Sequence, residues 1–166
     1  MNMFNTKETH LTYYKSPIGL IEITASEEGI TSLRFTKSKK RIQRQSKHLD
    51  DCVKQLDEYF NCKRKTFSLK LNLDGTEFQK KVWNELLKIP FGKTVSYKDI
   101  AIGIRNRKAV RAVGNANNKN NISIIIPCHR VIGSNGKLVG YGGGLWRKKR
   151  LIDFENECKQ KQLYQK

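Results

Sequence analysis

The period of the hydrophobic pattern changes once along this chain, near Asp74, and that change constrains the fold more than any single motif does. Before it, apolar and polar residues alternate in His10-Leu-Thr-Tyr-Tyr14 and in Leu20-Ile-Glu-Ile-Thr24. Turns at Ser16-Pro-Ile-Gly19 and Glu28-Gly29 link these runs to Ile30-Thr-Ser-Leu-Arg-Phe35, so the pattern predicts a small antiparallel sheet. Leu49, Val53, Leu56 and Phe60 then recur at helical spacing between Lys47 and Cys62, as an amphipathic helix covering that sheet would require. Phe67, Leu69, Leu71 and Leu73 alternate as a further extended piece. After Asp74-Gly75 helical spacing takes over: Thr76-Glu-Phe-Gln79 has the form of a capping box, and Phe78, Val82, Leu86 and Ile89 share one face of the helix it opens. Pro90-Phe-Gly92 ends that helix, and Ser96-Tyr-Lys-Asp99 caps a short one running to about Ile104. The turn Arg105-Asn-Arg-Lys108 leads into a second short helix over Ala109–Ala116. The expectation is an α+β chain of 166 residues in two domains, a sheet-plus-helix domain over 1–73 and a mainly helical one over 74–166. The last two helices suit a helix-turn-helix, although on pattern alone an αα-hairpin packed for its own sake is the simpler reading.

Charge changes that balance. The chain has 33 Lys and Arg against 15 Asp and Glu, a net +18 and a pI near 9.9. Between Lys93 and Arg150 thirteen basic residues accompany a single acid, Asp99, so two thirds of the excess lies there. The cluster Lys37-Ser-Lys-Lys-Arg41 reads as a solvated face, but the larger concentration around Cys128 points to a polyanion, most simply nucleic acid. Arg105, Arg107, Lys108 and Arg111 crowd the turn and the start of the second helix, where a DNA-reading helix presents its donors and the positive end of its dipole. No apolar run approaches the roughly 18 residues of a membrane span, and Met1–Leu11 has no basic segment followed by an apolar leader. The expected location is the cytoplasm, with no membrane partner. Cys52, Cys62, Cys128 and Cys158 lack C-x-x-C spacing, which in a reducing compartment argues against a disulfide framework and against zinc; His10 and His48 stand alone. Neither a metal nor a cofactor is expected.

The segment Ile124-Ile-Ile-Pro-Cys-His-Arg-Val-Ile-Gly133 reads as a buried strand that runs into a thiol and an imidazole. Side chains of adjacent residues in an extended segment point to opposite faces, so His129 would polarise Cys128 through a bridging water. Glu155, in the apolar-patterned terminal helix Leu151-Ile-Asp-Phe-Glu155, is the acid available to orient the imidazole. A free thiol ionises near ~8.5, so a histidine relay and basic surroundings would be needed to activate it. On these residues alone, a small core cysteine is an equal reading of Cys128.

Pro127-Cys-His-Arg-Val131 is joined by Gly75-Thr-Glu-Phe-Gln79, Val82-Trp83, Ile89-Pro90, Ser96-Tyr97, Arg111-Ala-Val-Gly114 and Gly142-Gly-Gly-Leu145. Over Gly75–Glu155 these motifs, in register, resemble the O6-alkylguanine-DNA alkyltransferase family. Ser16-Pro-Ile-Gly19 and Gln55-Leu-Asp-Glu-Tyr-Phe60 extend the resemblance more loosely into the first third. The resemblance implies a ribonuclease H-like N-terminal domain and a winged-helix-like C-terminal domain. It implies direct repair of double-stranded DNA, in which an alkyl group leaves O6 of guanine, or less readily O4 of thymine, for the protein's own cysteine, which is consumed. It implies a monomer bound in the minor groove. Carried over by position, Cys128 is the acceptor, His129 its water-bridged base, and Glu155 the group that orients the histidine. Asn120 fixes the turn leading to the cysteine, and Tyr97 hydrogen-bonds the flipped base. Arg111 fills the gap left in the duplex, with Ser96, Arg105, Arg107, Lys108, Ala112 and Gly114 also facing DNA. Val131, Tyr141, Gly142 and Gly143 line the base pocket.

The chain departs from the family's pattern at three places. Asn121 and Ser123 stand where prolines are usual, which predicts a less rigid turn before the cysteine. Arg105 and Arg107 replace turn-forming Gly and Pro. Gly142 replaces Ser or Ala, leaving only a backbone N–H for guanine O6. Three other readings compete. A lesion-binding relative without transfer would lack the acceptor cysteine. A Cys-His-Glu hydrolase would need an oxyanion hole for which nothing else in the chain speaks. A helix-turn-helix regulator would leave Tyr97, His129 and Glu155 as coincidences.

Overall fold

The computed structural model describes residues 9–165, so most of the N-terminal stretch read for a leader lies outside the described residues. Contacts divide the chain into two compact units, Met1–Leu73 and Asp74–Lys166.

In the first unit β1 (His10–Ser16), β2 (Gly19–Ser26) and β3 (Gly29–Thr36) form an antiparallel sheet in that order. Tyr14 lies opposite Ile21 and Ile21 opposite Phe35, with the register shifted once at Thr24/Ala25. The alternation does its expected work: Leu11, Ile21, Ile23 and Leu33 are buried, together with Leu49, Leu56 and Tyr59 of α1 (Lys47–Phe60). Ser46 caps α1, its hydroxyl accepting from the Leu49 N–H at 3.4 Å. The alternating stretch at 67–73 is not a continuous strand. Leu71 alone bridges to Ile30, in parallel, while the Gln55 side chain takes the Ser68 backbone, accepting from its N–H at 2.9 Å and donating to its carbonyl at 3.2 Å. A side chain therefore satisfies backbone groups that a neighbouring strand would otherwise pair. At Gly29 a Cβ would lie 2.4 Å from the Lys70 carbonyl oxygen, and φ is +144°, so glycine is required where this stretch crosses the sheet.

The second unit is mainly helical. Its helices are α2 (Glu77–Leu86), α3 (Tyr97–Gly103), α4 (Val110–Asn118) and α5 (Leu145–Leu163), with β4 (Val95–Ser96) pairing in parallel with β5 (Val131–Ile132). The expected capping box of Thr76 with Gln79 is present, and Ser96, expected as an N-cap, forms a second box with Asp99. Trp83 of α2 donates from Nε1 to the Ala116 carbonyl of α4 at 2.8 Å. Val82, Leu86, Ile100, Val113, Ile122, Ile124, Ile126, Val131 and Leu151 are buried. The α+β class is as expected; two local expectations fail. The segment read as a strand from Ile124 is a turn at 123–125 and pairs as a strand only at Val131–Ile132, and α5 starts at Leu145, six residues before the apolar pattern at Leu151 suggests. The early start is hard to read because Gly144, at φ +92°, occupies the N-cap position without a side-chain acceptor.

Cys52 and Cys128 are free thiols, both buried. Among the described residues no helix is long and apolar enough to cross a membrane, and no group of three or more His, Cys, Asp or Glu could hold a metal ion.

Candidate active site

Asn120 builds the approach to the thiol. Its Nδ2 donates to the Ile126 carbonyl at 2.9 Å and its Oδ1 accepts from the Ile122 N–H at 2.9 Å, clipping the intervening residues into a closed turn. The Ile126 N–H reaches back to the Ile122 carbonyl at 3.0 Å, and Ile124 at the centre has φ 71°. A β-branched residue in that region is strained by about 1–3 kcal/mol, so the bond pattern and the burial of residues 122–126 must hold it there. Burial of three isoleucines produces the strand-like sequence signal, while the asparagine imposes the turn.

Cys128, His129 and Arg130 follow as one turn of 3-10 helix. Successive residues in such a turn are about 120° apart, so the thiol and the imidazole still do not face each other. His129 and Arg130 converge on Glu155. The His129 Nε2 lies 2.8 Å from Oε1; Arg130 donates from Nη2 to Oε1 at 2.8 Å and from Nε to Oε2 at 3.0 Å; the Gly92 N–H donates to Oε2 at 2.8 Å. A further bond runs from Arg130 Nη1 to the Ile89 carbonyl at 2.7 Å. Glu155 is 1% exposed.

Protonation follows from this arrangement. Burial alone would raise the Glu155 carboxyl, but the hydrogen bonds and charges of His129 and Arg130 outweigh it and hold Glu155 well below the usual carboxylate range. An ionised carboxylate only accepts, so the proton between the two groups sits on His129 Nε2. Burial lowers His129, opposed by Glu155 and reinforced by Arg130 and Lys148, so the ring is neutral at pH 7. A neutral ring with its hydrogen on Nε2 carries a bare lone pair on Nδ1, and that atom is buried with no hydrogen-bond partner. The geometry thus presents a base. Cys128 does not match the expectation of a thiol activated at rest by basic surroundings: burial pushes it up, and the Asn120 hydrogen bond and the Lys148 charge oppose that without cancelling it.

Tyr97, the first residue of α3, donates its hydroxyl hydrogen to the Val139 carbonyl at 2.7 Å. Lys148 donates to the same carbonyl at 2.9 Å, to the Gly140 carbonyl at 3.1 Å and to the Tyr97 oxygen at 3.4 Å. Burial lowers Lys148 to about 8, with the Cys128 charge opposing, and raises the Tyr97 phenol. The Tyr141 hydroxyl is buried beside Ser123 without a well-formed hydrogen bond, and burial pushes it well above its usual value. Val131 is held in β5 opposite Val95. A Cβ at Gly142 would meet nothing within 4 Å, so that wall is open, while the Gly143 carbonyl accepts from Arg147 at 2.9 Å.

The residues expected to face DNA differ in exposure. Arg105, Arg107, Lys108, Arg111 and Ala112 are exposed, and none of these four basic side chains makes a hydrogen bond or ion pair among the described residues. Gly114 is half-buried, with space for a Cβ 3.9 Å from the Tyr97 ring. Ser96 is spent locally: its hydroxyl donates to Asp99 Oδ2 at 2.7 Å and accepts from the Asp99 N–H at 3.1 Å. Arg105 takes φ 59° and closes α3 as glycine usually does, with Arg105 N–H on the Ile102 carbonyl and Asn106 N–H on the Ala101 carbonyl, both at 2.9 Å. Ala109 occupies the N-cap position of α4 and supplies no side-chain cap.

Two residues of the buried cluster had no role in the sequence reading: Arg130 and Lys148. The signal for the second lay in α5, where Lys148, Leu151, Glu155 and Cys158 form one buried stripe at helical spacing. A lysine and a glutamate on a core face mark polar work in the interior.

A helix-turn-helix arrangement with unpaired surface cations, in the same unit as a buried thiol and a carboxylate-oriented imidazole, defines a class of DNA-binding fold that carries its own nucleophile. Comparison with known proteins gives the class its family. Residues 9–73 match the 6-O-methylguanine DNA methyltransferase, ribonuclease-like domain, and residues 77–157 the 6-O-methylguanine DNA methyltransferase, DNA binding domain. The chain is 48% identical over 151 residues to the methylated-DNA–protein-cysteine methyltransferase of Methanosarcina acetivorans, spanning 87% of this chain and 97% of that one. It is 43% identical over 152 residues to the constitutive methylated-DNA–protein-cysteine methyltransferase of Bacillus subtilis, spanning 86% and 88%. The crystal structure of the Mycobacterium tuberculosis O6-methylguanine methyltransferase superposes with a TM-score of 0.82 at 41% identity, covering 90% of this chain and 94% of that one. A crystal structure of the same organism's OGT in complex with DNA gives 0.82 at 43% identity, with the same coverage. The chain belongs to the 6-O-methylguanine DNA methyltransferase family.

Proposed function

We infer that this protein repairs DNA by direct reversal, taking an alkyl group from O6 of guanine onto Cys128 in a single irreversible event. The observation that carries the reading is the Cys128–His129–Glu155 arrangement, with a neutral imidazole whose only free nitrogen is a buried acceptor. In the reaction Cys128 Sγ forms a bond to the alkyl carbon as the carbon–O6 bond breaks, and the bonding pair goes to guanine. The thiol proton passes through a water to His129 Nδ1, the guanine anion takes a proton at its ring nitrogen from water, and the imidazolium returns its extra proton to solvent, so the products are a thioether and an ordinary guanine. Glu155 fixes the tautomer and stabilises the transient imidazolium; Arg130 and the Gly92 N–H keep Glu155 ionised and in place. Tyr97 supplies a hydrogen bond to the leaving base, where negative charge develops. A thioether is a poor leaving group, nothing in the site regenerates the thiol, and each chain acts once.

The lesion lies inside a duplex, so its nucleotide must be flipped out, at a cost of a few kcal/mol. Arg111, exposed in the first turn of α4, would fill the gap, and the uncapped start of α4 would offer N–H groups to a phosphate. Unpaired cations at Arg105, Arg107 and Lys108 suit phosphate contacts, which carry no sequence preference. We assign the contact to the minor groove of double-stranded DNA, the active form to a monomer, and the location to the cytoplasm. O4-alkylthymine is a slower substrate of the same pocket, and the open wall at Gly142 leaves space for groups larger than methyl.

Stoichiometry tests this reading. With excess O6-methylguanine duplex, demethylated product should stop at one per chain; continued turnover, or none, would overturn it.

A further inference from the structure

The geometry points to Lys148 as a positioning residue for Tyr97: it keeps the Val139 carbonyl satisfied while the tyrosine turns its hydroxyl hydrogen from that carbonyl to the bound base. The inference rests on the assignment of Tyr97 as donor to the base. Lys148 is wholly buried on the core face of α5, and no carboxylate lies within ion-pair distance of it among the described residues. An ammonium in that position is costly unless every hydrogen has an acceptor. It has three, the Val139 and Gly140 carbonyls and the Tyr97 oxygen.

The direction of each bond follows from chemistry. An ammonium only donates, so the Tyr97 oxygen accepts from Lys148, and its own hydrogen goes to Val139, at 2.7 Å. The Val139 carbonyl therefore receives two hydrogen bonds, one on each lone pair. Tyr97 has no spare hydrogen for a base while this holds. Because Lys148 stays on the carbonyl, release of Tyr97 leaves no orphaned acceptor. Without the lysine, Tyr97 would be the only side chain on that carbonyl, and turning away would leave it with no side-chain donor. Donation from the ammonium also draws charge from the phenol oxygen, which makes its hydrogen a better donor to guanine. The Gly140 carbonyl, in a turn with φ +58° packed on Asn118, fixes the third side of the ammonium.

A double-mutant cycle on the transfer step separates this from a merely structural lysine. Single-turnover rate constants at saturating O6-methylguanine duplex are measured for the wild type, Tyr97→Phe, Lys148→Met and the double variant, with DNA affinity and thermal melting alongside. Lys148→Met should slow transfer by about tenfold or more while DNA affinity changes by less than about threefold. In the Tyr97→Phe background the same substitution should change the rate by less than about twofold, since no hydrogen remains to be redirected. Equal effects in both backgrounds, or no effect in either, would overturn the inference. A Tyr97→Phe variant as fast as the wild type would instead overturn the assignment of Tyr97, on which the inference stands. If Lys148→Met melts below the assay temperature, Lys148→Gln carries the same cycle. Its amide can hold one carbonyl but cannot serve all three acceptors, and the same loss of effect in the Tyr97→Phe background is expected.

Discussion

Two free thiols sit in this chain, Cys52 in α1 and Cys128 in the 3-10 turn, and burial alone does not distinguish them. Cys52 is wholly buried and Cys128 is 5% exposed. Burial raises both: Cys52 to about 12 with no opposing influence, and Cys128 against the pull of Asn120 and Lys148. The difference lies in the neighbours. Cys52 occupies the apolar face of a helix packed on a sheet, where its sulfur behaves as a small hydrophobe. Cys128 is adjacent in sequence to an imidazole whose free nitrogen can take its proton, and its polar neighbours are fixed by their own bonds. A buried thiol becomes a nucleophile when its proton has somewhere to go, more than when its resting pKa is low.

The largest effect should come from exchanging the roles of the two sulfurs. Cys128→Ala should abolish transfer while leaving affinity for methylated duplex within about tenfold, because phosphate contacts supply most of it. Cys52→Ala should cost about 1 kcal/mol of stability and leave transfer intact; loss of transfer on that change would break the contrast. Next in size is Glu155→Gln, which leaves Arg130 buried without its charge partner and no longer fixes the imidazole. Transfer should fall by about 10²-fold or more, and stability by about 3–5 kcal/mol, read by denaturant titration.

Acid should expose the same difference with no mutation. His129 is lowered from its ordinary 6.5, so the unfolded chain binds its proton first and native stability is lost as pH falls below about 6.5. Transfer should decline on the same acid side, because the base must be neutral, while burial of Cys128 keeps its thiolate absorbance from appearing until above the ordinary 9.0. A thiolate signal that titrates below pH 7 would show that the sulfur is activated at rest.

The exposed helices sharpen the contrast from the other side, since their cations act without fixed partners. Arg111→Ala should slow repair in duplex by about tenfold, with much less effect on free O6-methylguanine, because its task is flipping. The smallest effect is expected from Arg105→Gly. Relief of a positive φ should stabilise the fold by about 0.5–1 kcal/mol, while loss of one phosphate contact lowers the salt slope of binding by about one.

How much of this was legible in the sequence depended on whether a local rule or a tertiary contact decided each element. The three strands, α1 and the two capping boxes follow from periodicity and cap chemistry, which act over a few residues. The turn at Ile122–Ile126 did not, because an asparagine side chain two to six residues away overrides the β preference of three isoleucines. Resemblance named Cys128, His129, Glu155, Tyr97 and Asn120. It could not reveal that Ser96 is consumed in its own cap, or that Arg130 and Lys148 complete the buried network. The strained turn was half legible: the replacement of glycine by Arg105 was visible, and its retention of a left-handed φ was not.

The central claim is that the alkyl group ends on one sulfur and not the other. Peptide mass mapping after reaction with an O6-methylguanine duplex tests it directly. The account predicts one added methyl per chain, on the peptide carrying Cys128, with the Cys52 peptide unmodified. Methyl on Cys52, or an unmodified chain beside repaired DNA, would contradict it.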